Sequence, residues 1–241
     1  MTTQGSLAGL ETFEPLNIEY EYAYRDNPIK KACIAKAISL IPSGSRILDV
    51  GCGTGVPVSS ALSEAGLEVE GFDISPKMVA LASERVKGRF SVSDMIEYPI
   101  DRDFSFAGVF VIFATLQLPY KDFHAAAYKY AQALQPGGYF VIGQSPSDSY
   151  VKEDKDFDET KTYAEGFNLP FMGEPCSTLL LSSEGLKEFL RSMGLEIVWE
   201  LIETFQPKNM KCDPEVQQYV IARRPDGKQL APPKPPPKES K

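Results

Sequence analysis

The run Leu48-Asp49-Val50-Gly51-Cys52-Gly53-Thr54-Gly55 is where this sequence concentrates its chemical potential. Its glycines let a ligand approach the backbone closely, and a helix opening beyond them would offer unpaired N–H groups. A dinucleotide fingerprint, G-x-G-x-x-G, requires a glycine at position 56, but that residue is Val56 and the glycine stands at Gly55. Asp49, just before the turn, would repel a pyrophosphate and suits a cationic ligand. Asp73 lies 18 residues after Gly55, where a carboxylate can accept hydrogen bonds from both hydroxyls of a ribose. Asp94 ends the next apolar segment in the same way. Three acids at three successive strand ends describe a site for a nucleoside that carries positive charge rather than phosphate.

Such a site needs a frame, and the hydrophobic pattern supplies one. Apolar residues Ile29, Cys33, Ala37 and Leu40 at helical spacing predict a helix over 28–41, closed by Pro42-Ser43-Gly44. A short buried strand over 46–50 runs into the glycine-rich turn. A helix then opens near Pro57, with Val58, Ala61, Leu62 and Ala65 on one face and Gly66 at its end. The alternation continues with a strand over 67–72, a helix over 76–86, and strands over 89–92 and 107–113. A helix carrying Phe123, Ala127, Tyr130 and Leu134 then leads to Pro136-Gly137-Gly138 and a strand over 139–142. Strands alternating with helices imply an α/β fold, here a single Rossmann-like, doubly wound, mostly parallel sheet. Two final strands, over 195–203 and 216–223, have no obvious helix between them and are expected to pair antiparallel. The expected organisation is an N-terminal arm over 1–27 and a domain over 28–224 with a lid insertion at about 144–180. A disordered tail is expected over 225–241, where six of 17 residues are proline.

Composition narrows the function classes. Hydrophobic residues make up 43% and charged residues 24% of 241 residues, enough apolar material for a sizeable core. The net charge is −8, and because the tail carries four lysines against Asp226 and Glu239, the body holds −10. So acidic a body disfavours nucleic acid and anionic membrane surfaces as partners. Cys33, Cys52, Cys176 and Cys212 are scattered and only one histidine accompanies them, so neither a metal site nor a disulfide framework is expected. With no leader-like apolar stretch at the start, the chain is read as soluble and cytoplasmic, a monomer or homodimer acting on a small molecule.

Over 28–223 the chain resembles the class I S-adenosylmethionine-dependent methyltransferases. The resemblance rests on the glycine motif with its acid, on Asp73, on Ser93-Asp94-Met95 and on Leu134-Gln135-Pro136-Gly137-Gly138. It implies S-adenosylmethionine as cofactor, with Asp49 near the methionine amino group and Gly51, Cys52, Gly53 and Gly55 forming the loop. Cys52 is read there as a small filler and not as a nucleophile. Asp73 would hold the ribose, Ile74 and Met95 would flank the adenine, Asp94 would accept from its amino group, and Phe110 to Phe113 would line the floor beneath the sulfonium. The compact size, Tyr-rich arm and absent histidine further resemble small fungal methyltransferases of secondary metabolism, some of which act on enolic hydroxyls of polyketide pyrones.

Many relatives have a histidine after the fourth strand, but Phe113-Ala114-Thr115-Leu116-Gln117-Leu118-Pro119 places Gln117 there. The family base is missing, and Gln117 is expected to orient the acceptor. His124, the single histidine, reads as a rim residue rather than a base. Tyr20, Tyr22 and Tyr24 alternate as they would along an extended arm, and Phe167, Phe171 and Met172 form a second aromatic stretch. For both regions a substrate lid and plain core packing are open readings. The acidic run Glu153 to Glu159 reads as a solvated face. The expected activity is methyl transfer to a lipophilic acceptor with an acidic hydroxyl. Its rivals are a carboxyl methyltransferase, which a basic subsite such as Arg25 would favour, an N-methyltransferase, and a cofactor-binding module with a regulatory or non-methylating role.

Overall fold

The computed structural model describes residues 3–100 and 106–234. The chain begins with a helix, α1 (Gln4–Tyr24), whose first turn is capped by the Thr3 side chain accepting from the Ser6 N–H. Asn27 caps α2 (Pro28–Leu40), and Pro28 occupies the first position, where its missing N–H costs nothing. There follow β1 (Arg46–Val50), α3 (Val58–Glu64), β2 (Glu68–Asp73), α4 (Pro76–Arg85), β3 (Arg89–Val92), β4 (Phe106–Ile112), α5 (Tyr120–Gln132) and β5 (Leu134–Gln144). The remaining elements are the hairpin β6 (Tyr163–Phe171) and β7 (Glu174–Leu181), then α6 (Ser183–Ser192), β8 (Glu196–Phe205) and β9 (Glu215–Arg223).

Seven strands form one sheet in the order β3-β2-β1-β4-β5-β9-β8. Strands β1 to β5 pair in parallel, and β9 runs antiparallel to both β5 and β8. The order reverses between β1 and β4, and the crevice outside the carboxyl ends there is where such sheets take ligands. Strand parity divides the core. Leu48, Val50, Val109 and Val111 pack towards α5 and α6, while Ile47, Phe110 and Ile112 pack towards α2 and α3.

The sequence-based elements agree with the sheet, and three expectations change. The tyrosine-bearing arm is helical, so a period of 3.6 puts Tyr20 and Tyr24 on one face and turns Tyr22 outward, 57% exposed. The insertion is largely a β-hairpin whose tip, Met172-Gly173, has φ of 53° and 89°, the two positive values of a two-residue hairpin turn. The expected disordered tail is corrected for residues 225–234, which dock on the body. Leu230 is buried in the core beside α5 and α6, the Ala231 N–H donates to the Met193 carbonyl at 3.1 Å, and the Tyr128 hydroxyl donates to the Leu230 carbonyl. A single apolar side chain with a groove to fill overrides a polar, proline-rich composition. Residues 235–241 lie outside the described residues. Truncation after Arg224 is therefore expected to cost about 2 kcal/mol, mainly for Leu230, which calorimetry reads as a Tm lowered by about 4–8 °C.

Candidate functional site

The glycine turn after β1 is tied to the neighbouring strand end. Asp73 Oδ2 accepts from the Gly53 N–H and Oδ1 from the Ser75 N–H, both at 2.9 Å, while the Cys52 N–H donates to the Phe72 carbonyl. Burial pushes the Asp73 carboxyl above its ordinary value, with these amides pulling the other way. Gly51 sits at φ 67°, and a Cβ there would stand 2.6 Å from that of Ala114, so the turn packs directly on the loop after β4.

Asp94 closes the far side. Its Oδ1 accepts from the Ile96 N–H and from the Ser6 hydroxyl at 2.8 Å, which pins α1 across the crevice. Its Oδ2 is buried and accepts from no group among the described residues. Lys129 donates to the carbonyls of Met95, Ile96 and Tyr98, holding that wall in place. Gly5 lets α1 come close, since a Cβ there would meet the Gln117 carbonyl oxygen at 2.7 Å.

These groups enclose a first cavity. Of the residues named from sequence, Gly51, Gly53, Asp73, Ile74, Asp94, Met95, Phe113 and Gln117 line it. Tyr20 of the tyrosine-bearing arm lines it too, as do Ser6, Gly9, Phe13 and Met78, which sequence reasoning missed. The signals for α1 were Thr3 as a cap and the small residues Gly5 and Gly9 one turn apart, but Pro15 inside the helix interrupts the pattern.

Four expected cofactor residues do not line the cavity. Asp49 shares the parity of Ile47 and so points beneath the sheet, 2% exposed, where its Oδ2 accepts from the Ser59 hydroxyl at 2.6 Å. Burial pushes its carboxyl up to about 7, with Asp73 adding to the rise and Ser59 and Lys30 opposing it. Cys52 is buried with its Cβ over Gly71, Gly55 backs onto Ala82 and Val86, and Phe110 is fully buried in the core.

A second cavity of about 260 Å³ adjoins the first, and the rings of Tyr20 and Phe113 line both. Phe113, the residue after β4, holds φ at 56°, a left-handed conformation costly for an aromatic residue, and its N–H donates to the Gly143 carbonyl. Tyr24 and Phe171 line this cavity and also pack with the core on that side of the sheet. Tyr22, Phe167 and Met172 do not line it. Tyr22 faces out, Phe167 packs with Val151, Ala164 and Leu180, and Met172 is buried against Cys212. Lys30, Tyr150, Asp213, Glu215 and Gln217, none of them singled out from sequence, belong to its polar lining together with Ser145 and Thr178. His124 touches neither cavity; its ring lies between Tyr120 and Phe189, with Nε2 against the Lys234 carbonyl. Among the described residues no group of three or more His, Cys, Asp or Glu could hold a metal ion, and no helix is long and apolar enough to cross a membrane.

Residues 47–138 match the family model described as a methyltransferase domain, which spans β1 to the start of β5 and both walls of the first cavity. Over that stretch the chain carries a methyltransferase domain. A curated relative of this methyltransferase domain is the O-methyltransferase cnsE of Penicillium expansum. It is 29% identical over 162 residues, 64% of this chain and 53% of that protein. The chain thus spans about half the length of that relative. Among solved structures, the magnesium protoporphyrin IX methyltransferase of Synechocystis with bound SAM aligns with TM-score 0.63 at 15% identity, covering 92% of this chain and 98% of that one. The cyclase SpnF aligns with TM-score 0.64 at 19% identity, covering 92% and 96%. At such identities the likeness is one of fold.

Proposed function

We propose that this chain transfers the methyl group of S-adenosylmethionine to a small lipophilic acceptor through an acidic hydroxyl, with an enol of the polyketide pyrone type as the best-fitting class. The observation that carries the reading is the pair of adjoining cavities, one built from strand-end acids and a glycine turn, the other mostly aromatic and apolar, sharing Tyr20 and Phe113 as a common wall.

The first cavity fits the cofactor. The buried, unpartnered Asp94 Oδ2 is an acceptor in need of a donor, and the adenine amino group is one. Asp73, tied through both oxygens to backbone amides, keeps lone pairs for ribose hydroxyls. Ile74 and Met95 supply apolar contact to a purine ring. When bound, S-adenosylmethionine supplies an electrophilic methyl on a cationic sulfur. The chain's part is to exclude water and to align an acceptor oxygen across the Tyr20–Phe113 wall.

Arg25, the example of a basic subsite that would favour a carboxyl acceptor, lies outside both cavities, stacked on Tyr22 beside Asp26, whereas Lys30 lines the second cavity and would serve a carboxylate as well. No residue of the acidic run 153–159 lines either cavity, so that run lends an amine acceptor no support. The SpnF likeness keeps a non-methylating role as the competing reading. Incubating the protein with a metabolite extract and methyl-labelled S-adenosylmethionine decides the matter. A labelled product seen by mass spectrometry is expected and identifies the acceptor, whereas cofactor binding without any label transfer would favour the non-methylating role.

A further inference from the structure

Lys30 is the anomaly of the second cavity. Asn27 fixes it there: its Oδ1 accepts from the N–H groups of Ile29 and Lys30, and its Nδ2 donates to Gln217 on β9 at 2.6 Å. The first turn of α2 is thereby anchored against the sheet, and Lys30 is left 4% exposed with its ammonium 5.8–5.9 Å from the ring centroids of Tyr20, Tyr24 and Phe113. Among the described residues Nζ makes no hydrogen bond and no ion pair.

A structural role accounts poorly for this placement. Three rings offset only part of the cost of burying an ammonium, and the positive end of the α2 dipole works against it. The two acids that act on it electrostatically each hold other hydrogen bonds and make no ion pair with it. Glu215 accepts from the Tyr24 hydroxyl through one oxygen and from the Gln217 amide through the other, and Asp49 accepts from Ser59. Burial pulls the Lys30 amine down to about 8, with Glu215 and Asp49 acting in the opposite direction. The groups around it are Glu215 on β9, Asp49 on β1, and Tyr20 and Tyr24 on α1, with Asp213 and Tyr150 lining the same cavity.

We propose that the second cavity binds the acceptor as a flat oxyanion, a phenolate or enolate, and that the Lys30 ammonium is its counter-ion. The aromatic walls take the ring, and the two rings beside Lys30 that also face the first cavity put the paired oxygen at the shared wall. An acceptor that enters ionised pairs directly with the ammonium, and one that enters as a neutral hydroxyl gives its proton to Nζ where the amine is neutral, or to solvent water or buffer where Nζ already carries its proton. The bound pair is oxyanion and ammonium in either case. The inference rests on the methyl-transfer reading and deepens it by naming what the cavity holds and which residue holds it.

The probe is 4-nitrophenol, whose phenolate absorbs visible light and whose phenol does not, titrated against pH with protein saturated in S-adenosylhomocysteine. In the wild type the bound probe is expected to ionise more readily than in solution, with about tenfold more phenolate at a given pH. In Lys30→Met, which keeps the volume and removes the charge, it is expected to ionise less readily than in solution, because the desolvated anion has lost its partner. S-adenosylhomocysteine binding, which Lys30 does not touch, should be equal in both proteins and shows that the variant is folded. Equal ionisation of the probe in both proteins overturns the inference, as does failure of the probe to bind a wild type that binds S-adenosylhomocysteine. Failure of the wild type to bind S-adenosylhomocysteine sinks the methyl-transfer reading itself.

Discussion

Replacing Asp73 with alanine is expected to weaken S-adenosylhomocysteine binding by about 1.5–3 kcal/mol through loss of charge-assisted hydrogen bonds, roughly 10- to 150-fold in Kd. Two losses combine. The ribose hydroxyls lose their carboxylate, and the Gly53 and Ser75 amides lose the acceptor that sets the glycine turn against the end of β2. Asp73→Asn separates the two. An amide retains an acceptor oxygen for one backbone N–H but has no negative charge, so its Kd should fall between those of wild type and Asp73→Ala. Calorimetry on folded variants is the measurement. An unchanged Kd in Asp73→Ala would remove this residue from the binding site, and tighter binding of NAD than of S-adenosylhomocysteine would overturn the cofactor assignment.

With the acceptor identified by label transfer, Gln117→Ala is expected to lower kcat by roughly 10²-fold, and His124→Ala by less than about tenfold. Gln117 lines the first cavity, and its Nε2 reaches Cys176 Sγ at 3.2 Å, a residue that lines the second. It stands where the two cavities come together, and truncating it would leave room for the reacting atoms to shift by about an ångström. His124 has no path to either cavity. On the far face of α5 its ring is taken up by Tyr120, Phe189 and the docked tail. A loss of about 10³-fold in a folded His124→Ala protein that still binds cofactor would contradict this geometry. Near-wild-type activity in both variants would move the orienting role to Lys30 and Tyr24.

The two predictions differ in how far each could be read from the sequence alone. Asp73 and Asp94 were legible because a strand that ends in an acid beside a glycine turn is a local pattern. A parallel sheet brings such ends to one edge whatever else the chain does. The alternation of elements, the antiparallel closing strand and the mismatch to a dinucleotide fingerprint belong to the same class of information. Asp49 shows its limit. The residue is conspicuous in the motif, yet strand parity turns it to the opposite side of β1, onto Ser59.

Three features were settled only in the folded chain. The first is α1, where an internal proline blurs the pattern, so that Tyr20, Tyr22 and Tyr24 looked extended; packing against the crevice, with Ser6 on Asp94, supplies the helix with its purpose. The second is the tail, whose polar composition said nothing of the groove that receives Leu230. The third is the second cavity. Lys30 and Glu215 lie 185 residues apart in the chain, and nothing local to either distinguishes a lysine buried among three rings from one on a solvated helix face. The sequence by itself determined the sheet, the cofactor edge and the absence of the family histidine, all of them carried by local patterns. That Lys30 is buried among three rings beside Glu215 became visible only in the folded chain, because burial and charge pairing belong to residues that meet across the fold.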